Sequence, residues 1–203
     1  MSDRTARLIT FWLPVCVVPS DGAGAFVQES QSVAEFMRYT APDAEAHARG
    51  ISELRRKLDQ AISENDRRAT VDHAADLASM LTTDRRELEA LRVLGEHAAL
   101  AEALPEEEPS GWFWNAYATA LQYTGNRTEA DACFAKAHGL CTTGGWTRLE
   151  ALVLHHWGRN LAEQGRFPEA EARISEALAI RIKLGDPKQE SSRLALEAVR
   201  LHR

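Results

Sequence analysis

His155 and His156 stand side by side, with Arg159 one helical turn on and Glu163 one turn beyond that. Histidine pairs suggest a metal site or proton transfer. On a helix, neighbouring residues point about 100° apart, so the pair cannot grip one ion together. No carboxylate or cysteine stands at a ligand spacing that includes both. A second set, Asp72, His73 and Asp76, carries an i, i+4 acidic pair, with Ser79 just beyond it. A serine, a histidine and an aspartate drawn from one helix do not converge as nucleophile activation requires. They are expected as a solvated face or a capping cluster. With no glycine-rich phosphate loop, paired-carboxylate motif or Cys/His cluster beside them, the expectation is a non-enzymatic protein with no metal and no cofactor.

Composition points the same way. The 203-residue chain is 44% hydrophobic and 27% charged, the balance of a globular protein with a sizeable core. Its net charge of -6 leaves no basic surplus to neutralise phosphates, which argues against nucleic acid as the main partner. Among its 24 basic residues only Lys57, Lys136, Lys183 and Lys188 are lysine. That bias, with abundant alanine, suggests a high-GC bacterial source. Cys16, Cys133 and Cys141 form no CxxC pair. Cys133 is expected inside a helix and Cys141 just past its end, on the order of 10 Å apart, as reduced and partly buried thiols.

Residues 1–43 are expected to form an apolar arm that caps the first exposed helix pair, since a stack of helices needs a covered end. The competing reading is a secretory signal, with Arg4 and Arg7 before an apolar stretch from Leu8 to Val18 and cleavage after Ala25. That stretch is too short to span a bilayer. The first reading makes the protein cytoplasmic, the second exported. A third makes Leu8–Val18 a strand, followed by a glycine-containing turn and a helix from about Phe26 to Tyr39.

What must position the polar residues is a set of helices. From residue 44 onward, apolar residues recur with helical spacing, and the chain resembles itself every forty residues. Ala90, Ala130 and Ala170 are one such column; Leu94, Phe134 and Ile174 are the next. Ala78, Ala118 and Gly158 form a third, Leu81, Leu121 and Leu161 a fourth, and Leu77, Tyr117 and Trp157 a fifth. Gly158 should let a second helix approach closely and set Ala170 against it, with Trp157, Leu161 and Ile174 filling the surroundings. Gly125 and Gly165 should stop helices, Thr128 should cap one, and Pro168 fits a first turn. Arg85 stands where the earliest unit lacks a stop glycine. Residues 44–65 should supply a preceding helix and 188–203 a final one, with Leu194, Ala198 and Leu201 facing the stack. "PEEEPSG" (105–111) reads as a solvated hinge.

The stretches "WNAYATALQYTGNRTEADACFAKA" and "LHHWGRNLAEQGRFPEAEARISEAL" resemble tetratricopeptide repeats. Trp114, Ala118, Gly125, Ala130, Phe134 and Ala137 carry the likeness in the first, and Gly158, Gly165, Ala170 and Ala177 in the second. The forty-residue period, instead of thirty-four, resembles the kinesin-light-chain-like subtype also found in bacterial regulators. The resemblance implies an all-α right-handed solenoid of about three to four helix-turn-helix repeats over 44–203. It also implies a concave groove, lined by the first helix of each hairpin, that binds a peptide or protein. Carried over, the groove-facing residues are Asp72, Asp76 and Ser79, then Asn115, Thr119 and Gln122, then His155, Arg159 and Glu163. Arg159 would contact the partner or else pair with Glu163 at i+4. Tyr123 and Trp112 would supply apolar anchors. The implied role is a non-catalytic adaptor or regulatory subunit. The alternative is a small-molecule sensing or processing protein, with the groove turned into a pocket around His155, His156 and Arg159.

Overall fold

A computed structural model of the chain describes residues 36–202. Among them all regular structure is helical, in eight helices: α1 Ala44–Ser63, α2 Arg67–Thr83, α3 Glu87–Glu102, α4 Glu108–Tyr123, α5 Arg127–Gly144, α6 Thr147–Glu163, α7 Phe167–Lys183 and α8 Gln189–Arg200. The strand reading of Leu8–Val18, the cleavage position after Ala25 and Cys16 lie outside the described residues. So does most of the helix expected from Phe26; its end, Phe36–Tyr39, is turn and irregular chain.

Each helix packs on the next, and α2, α4, α6 and α8 also pack on one another in order. The even-numbered helices thus form one continuous layer, as stacked helical hairpins do. Four of the five sequence columns are core, and in the fifth Leu77 is buried while Tyr117 and Trp157 are half-buried against it. Ala78, Ala118, Ala90, Ala130, Ala170, Leu94, Phe134 and Ile174 are fully buried, and Leu81, Leu121 and Leu161 nearly so. A Cβ placed on Gly158 would sit 2.4 Å from Ile174 Cγ1 and 3.1 Å from the Ala170 carbonyl oxygen, so α6 and α7 meet almost backbone to backbone.

Helices close on half the sequence period. Asn65, Arg85, Gly125, Gly145, Gly165 and Gly185 all have positive φ, between 54° and 88°. The amide after each reaches back five residues: Asp66 to Ala61, Arg86 to Leu81, Asn126 to Leu121, Trp146 to Cys141, Arg166 to Leu161 and Asp186 to Arg181, at 2.9–3.0 Å. This is the Schellman closure, which satisfies a carbonyl the helix leaves orphaned. Arg85 therefore adopts the stop conformation without being glycine. Position 105 interrupts the series because proline fixes φ near -65°. There the Ser110 hydroxyl donates to the Leu104 carbonyl at 2.7 Å.

Four sequence expectations need correction. Asn126, not Thr128, is the residue before α5, and it makes no side-chain cap bond; Asp43 and Asp66 do cap their helices, accepting from Ala46 and Ala69 amides at 2.9 Å. Cys141 lies inside α5 and is buried, because the helix runs on to Gly144. Only 105–107 form the turn of "PEEEPSG": Pro109, Ser110 and Gly111 are the buried start of α4, with Gly111 against Leu149 and Trp146. In α8 the inward face is Ser192, Ala195, Leu196 and Val199, while Leu194 and Leu201 are exposed.

Candidate functional site

α6 sits between α4 and α8 in the even layer and between α5 and α7 in sequence, so it is covered on nearly every side. Its polar residues His155, His156, Arg159, Asn160 and Glu163 are all buried. Of the groove-facing residues read from sequence, Asn115, Gln122, His155, Arg159 and Glu163 are buried and Thr119 is half-buried. Asp72, Asp76 and Ser79 are half-buried on α2. Asp76 accepts the Trp112 indole N–H at 2.8 Å, and Ser79 donates to the Ala75 carbonyl.

The structure brings Gln122, Arg159 and Glu163 together around a piece of this same chain. The Glu163 carboxylate accepts Arg38 Nε and Nη2 at 3.2 and 3.1 Å, Arg127 Nε at 3.0 Å and Gln122 Nε2 at 3.0 Å. Arg38 also lies 4.5 Å over the Tyr123 ring and donates to the Tyr123 carbonyl at 3.3 Å. Arg159 Nε donates to the Phe36 carbonyl and Arg159 Nη2 to the Tyr123 hydroxyl, both at 3.3 Å. The Tyr39 amide donates to that hydroxyl at 3.4 Å. The Phe36 ring joins the apolar cluster of Leu161, Ala162, Ile174, Leu196 and Val199. Residues 36–39 therefore pack against the ends of α4 and α6 and against the apolar cluster that α6, α7 and α8 share. Arg159 and Glu163 form no ion pair with each other among the described residues. The buried carboxylate is neutralised from other elements, which is what burial of a charge demands.

A second polar group lies along α6, α7 and α8. Arg181 Nη1 donates to Ser192 Oγ at 2.6 Å and to the Lys188 carbonyl at 3.1 Å. Ser192 Oγ is 3.2 Å from His155 Nδ1. Arginine can only donate, so the serine hydroxyl is free to give its proton to His155 Nδ1, which then accepts. His156 Nδ1 lies 3.4 Å from Thr119 Oγ1, whose proton goes to the Asn115 carbonyl at 2.9 Å. Both histidines are held well below the usual imidazole range, first by burial, then by Arg181, Arg159 and Lys188. Burial lowers Arg181 to about 10 and Lys188 to about 8.

The chemistry open to this group is limited. A serine beside a histidine resembles a nucleophile and its base, but the third member here is a cation. Arg181 weakens the base that a carboxylate would strengthen. No group of three His, Cys, Asp or Glu side chains is placed to hold a metal among the described residues. Cys133 and Cys141 are pushed by burial up to about 11 and about 12, and a thiol so raised is a poor nucleophile. Among the described residues both amide atoms of Asn115 are buried without a hydrogen-bond partner. Arg38, Arg127, Arg181 and Ser192 carry no motif signal of their own in the sequence, and the bond from Arg38 to Glu163 spans 125 residues.

Over the described residues, fold and site together show an all-α, helical-repeat-like architecture with a buried polar seam along one layer. Comparison with family descriptions and with curated proteins gives no match to it. No helix among the described residues is long and apolar enough to cross a membrane.

Proposed function

We propose that this protein is a non-catalytic adaptor or regulatory subunit of tetratricopeptide-like architecture, a right-handed stack of three to four hairpins working in the bacterial cytoplasm. Its even-helix face holds a peptide segment of a partner protein. One observation carries this reading: the face already holds polypeptide. Phe36–Tyr39 is bound through two of its backbone groups by Arg159 and Tyr123, through its arginine by Glu163, and through its phenylalanine by an apolar cluster. Backbone contacts, a charged anchor and an apolar anchor are the elements of peptide recognition. The unpartnered amide of Asn115 offers both a donor and an acceptor for a further main-chain contact. The geometry of Ser192 and His155, with a cation in third place, favours binding over catalysis.

The test is affinity capture from the source organism with the wild-type chain and with Arg38→Ala, which loosens the resident segment. Arg38→Ala should capture more of the same partner. Once the partner is in hand, Arg159→Ala and Asn115→Ala should each weaken it severalfold. Unaltered affinity in both would remove the even-helix face as the binding surface.

A further inference from the structure

Arg159 and Arg181 are 5% and 2% exposed, and their hydrogen bonds all end on neutral acceptors: the Phe36 and Lys188 carbonyls, the Tyr123 hydroxyl and Ser192 Oγ. Neither forms an ion pair with a carboxylate among the described residues. Glu163, one turn from Arg159, is taken by Arg38 and Arg127. Asp186, the carboxylate that acts on Arg181, pairs with Arg148 at 3.8 Å. Removing a guanidinium from water without a counter-charge is strongly unfavourable. The two histidines supply none, because an imidazole is neutral or cationic, and Ser192 and Thr119 are uncharged. In a chain whose net charge is -6, two buried guanidinium groups without an ion-pair partner among the described residues both act on His155.

We propose that the group formed by Arg159, Arg181, Ser192 and the two histidines is a binding site for a small phosphate-bearing dianion. The charge match selects the ligand class. Neither guanidinium has an ion-pair partner among the described residues, and the carboxylate that acts on Arg181, Asp186, is already paired with Arg148. A phosphate monoester carries about -1.5 to -2 at neutral pH, and a single carboxylate would leave one cation bare. Donor geometry agrees. Nη1 of Arg159 and Nε and Nη2 of Arg181 make no hydrogen bond among the described residues, and the planar guanidinium fork suits phosphate oxygens. The depth of both arginines favours a small ligand over a phosphorylated side chain on a protein surface. This gives the pocket reading of His155, His156 and Arg159 a ligand and adds Arg181 and Ser192 to it. It shares Arg159 with the peptide-holding reading, but Arg181 and Ser192 form no hydrogen bond with Phe36–Tyr39, so variants at Arg181 test it separately.

Thermal unfolding of the full-length chain in inorganic phosphate, against acetate and chloride at matched ionic strength, tests the site. Phosphate should raise the midpoint saturably and the other anions should not, because a ligand bound to the folded state alone stabilises it by mass action. Arg181→Gln should abolish the phosphate response. Arg181→Lys, which keeps the charge but loses the fork, should weaken it by about tenfold. Arg173→Gln, on the exposed side of α7, should leave it intact. Circular dichroism checks that each variant is folded, and if Arg181→Gln does not fold, Arg181→Lys carries the test. No phosphate response in the wild type overturns the proposal; so does an equal response to acetate, or an undiminished response in a folded Arg181 variant. A phosphoserine peptide that binds more tightly than inorganic phosphate overturns the small-ligand assignment. In all these cases partner capture is unaffected, so the two readings fail separately.

Discussion

Gly158→Ala is the sharpest test of how the helices stack. Elsewhere in a helix the change is favourable, because alanine loses less backbone freedom on folding, by about 0.5–1 kcal/mol. Gly95 and Gly139, inside α3 and α5, have nothing within 4 Å of where a Cβ would go. Gly95→Ala and Gly139→Ala should therefore each stabilise the protein by that amount. At Gly158 the new methyl would lie 2.4 Å from Ile174 Cγ1 and 3.1 Å from a backbone oxygen of α7. Ile174 is fully buried and cannot swing away, and the backbone oxygen cannot move without its helix. Overpacking of this kind costs about 1–3 kcal/mol, which outweighs the propensity gain and leaves a net loss of roughly 1–2 kcal/mol. For a chain of this size that is about 2–4 °C in Tm per kcal/mol, readable by denaturant or thermal unfolding. Ile174→Ala relieves the clash, so the double variant Gly158→Ala/Ile174→Ala should be more stable than the two single changes added together. If Gly158→Ala gains stability alongside Gly95→Ala, α6 and α7 are not in backbone contact and the repeat register is refuted.

Two further predictions concern backbone strain and charge. Arg85 has φ of 60°, a conformation costing roughly 1–2 kcal/mol for a residue with a Cβ. Arg85→Gly should raise stability by up to about 1 kcal/mol in urea unfolding, part of the relief being offset by the looser unfolded chain and by the lost stacking on Tyr123. A loss of stability would mean that the stacking outweighs the strain. The neutral, buried state of His155 and His156 makes stability depend on pH. Their folded values are depressed below 6.5, so the unfolded chain binds more protons as pH falls through that value, and stability declines on the acid side. The groups that face them and enforce this are Arg159, Arg181, Lys188, Ser192 and Thr119. Unfolding free energies measured between about pH 5 and 8 should fall below about 6.5, and His155→Gln should flatten that slope. An unchanged slope would remove His155 as a contributor.

What the sequence determined by itself is the part of the structure written in short-range terms. A helix closes its bonds four residues apart, a glycine supplies the left-handed stop, and small residues recurring every forty positions mark where successive helices touch. Ala170 against Gly158, and the stops at Gly125 and Gly165, followed from those local rules. The same rules failed where a boundary depends on what lies across from it. Pro109, Ser110 and Gly111 looked like a polar hinge until Leu149 and Trp146 covered them, and the inward face of α8 is set by its neighbours, not by its leucines. The polar seam was legible only as identities. Gln122, Arg159 and Glu163 read as the open wall of a groove, because a polar stripe looks the same in one dimension whether it waits for a partner or is already covered by another segment. Tertiary structure alone decided that Arg38, 125 residues away, neutralises Glu163. It alone set Arg181 and Ser192 beside His155, where burial and the cations Arg181, Arg159 and Lys188 fix the imidazoles as neutral. Charge state and burial are sums over neighbours in space, and those neighbours come from helices whose order along the chain carries no record of which side chains meet.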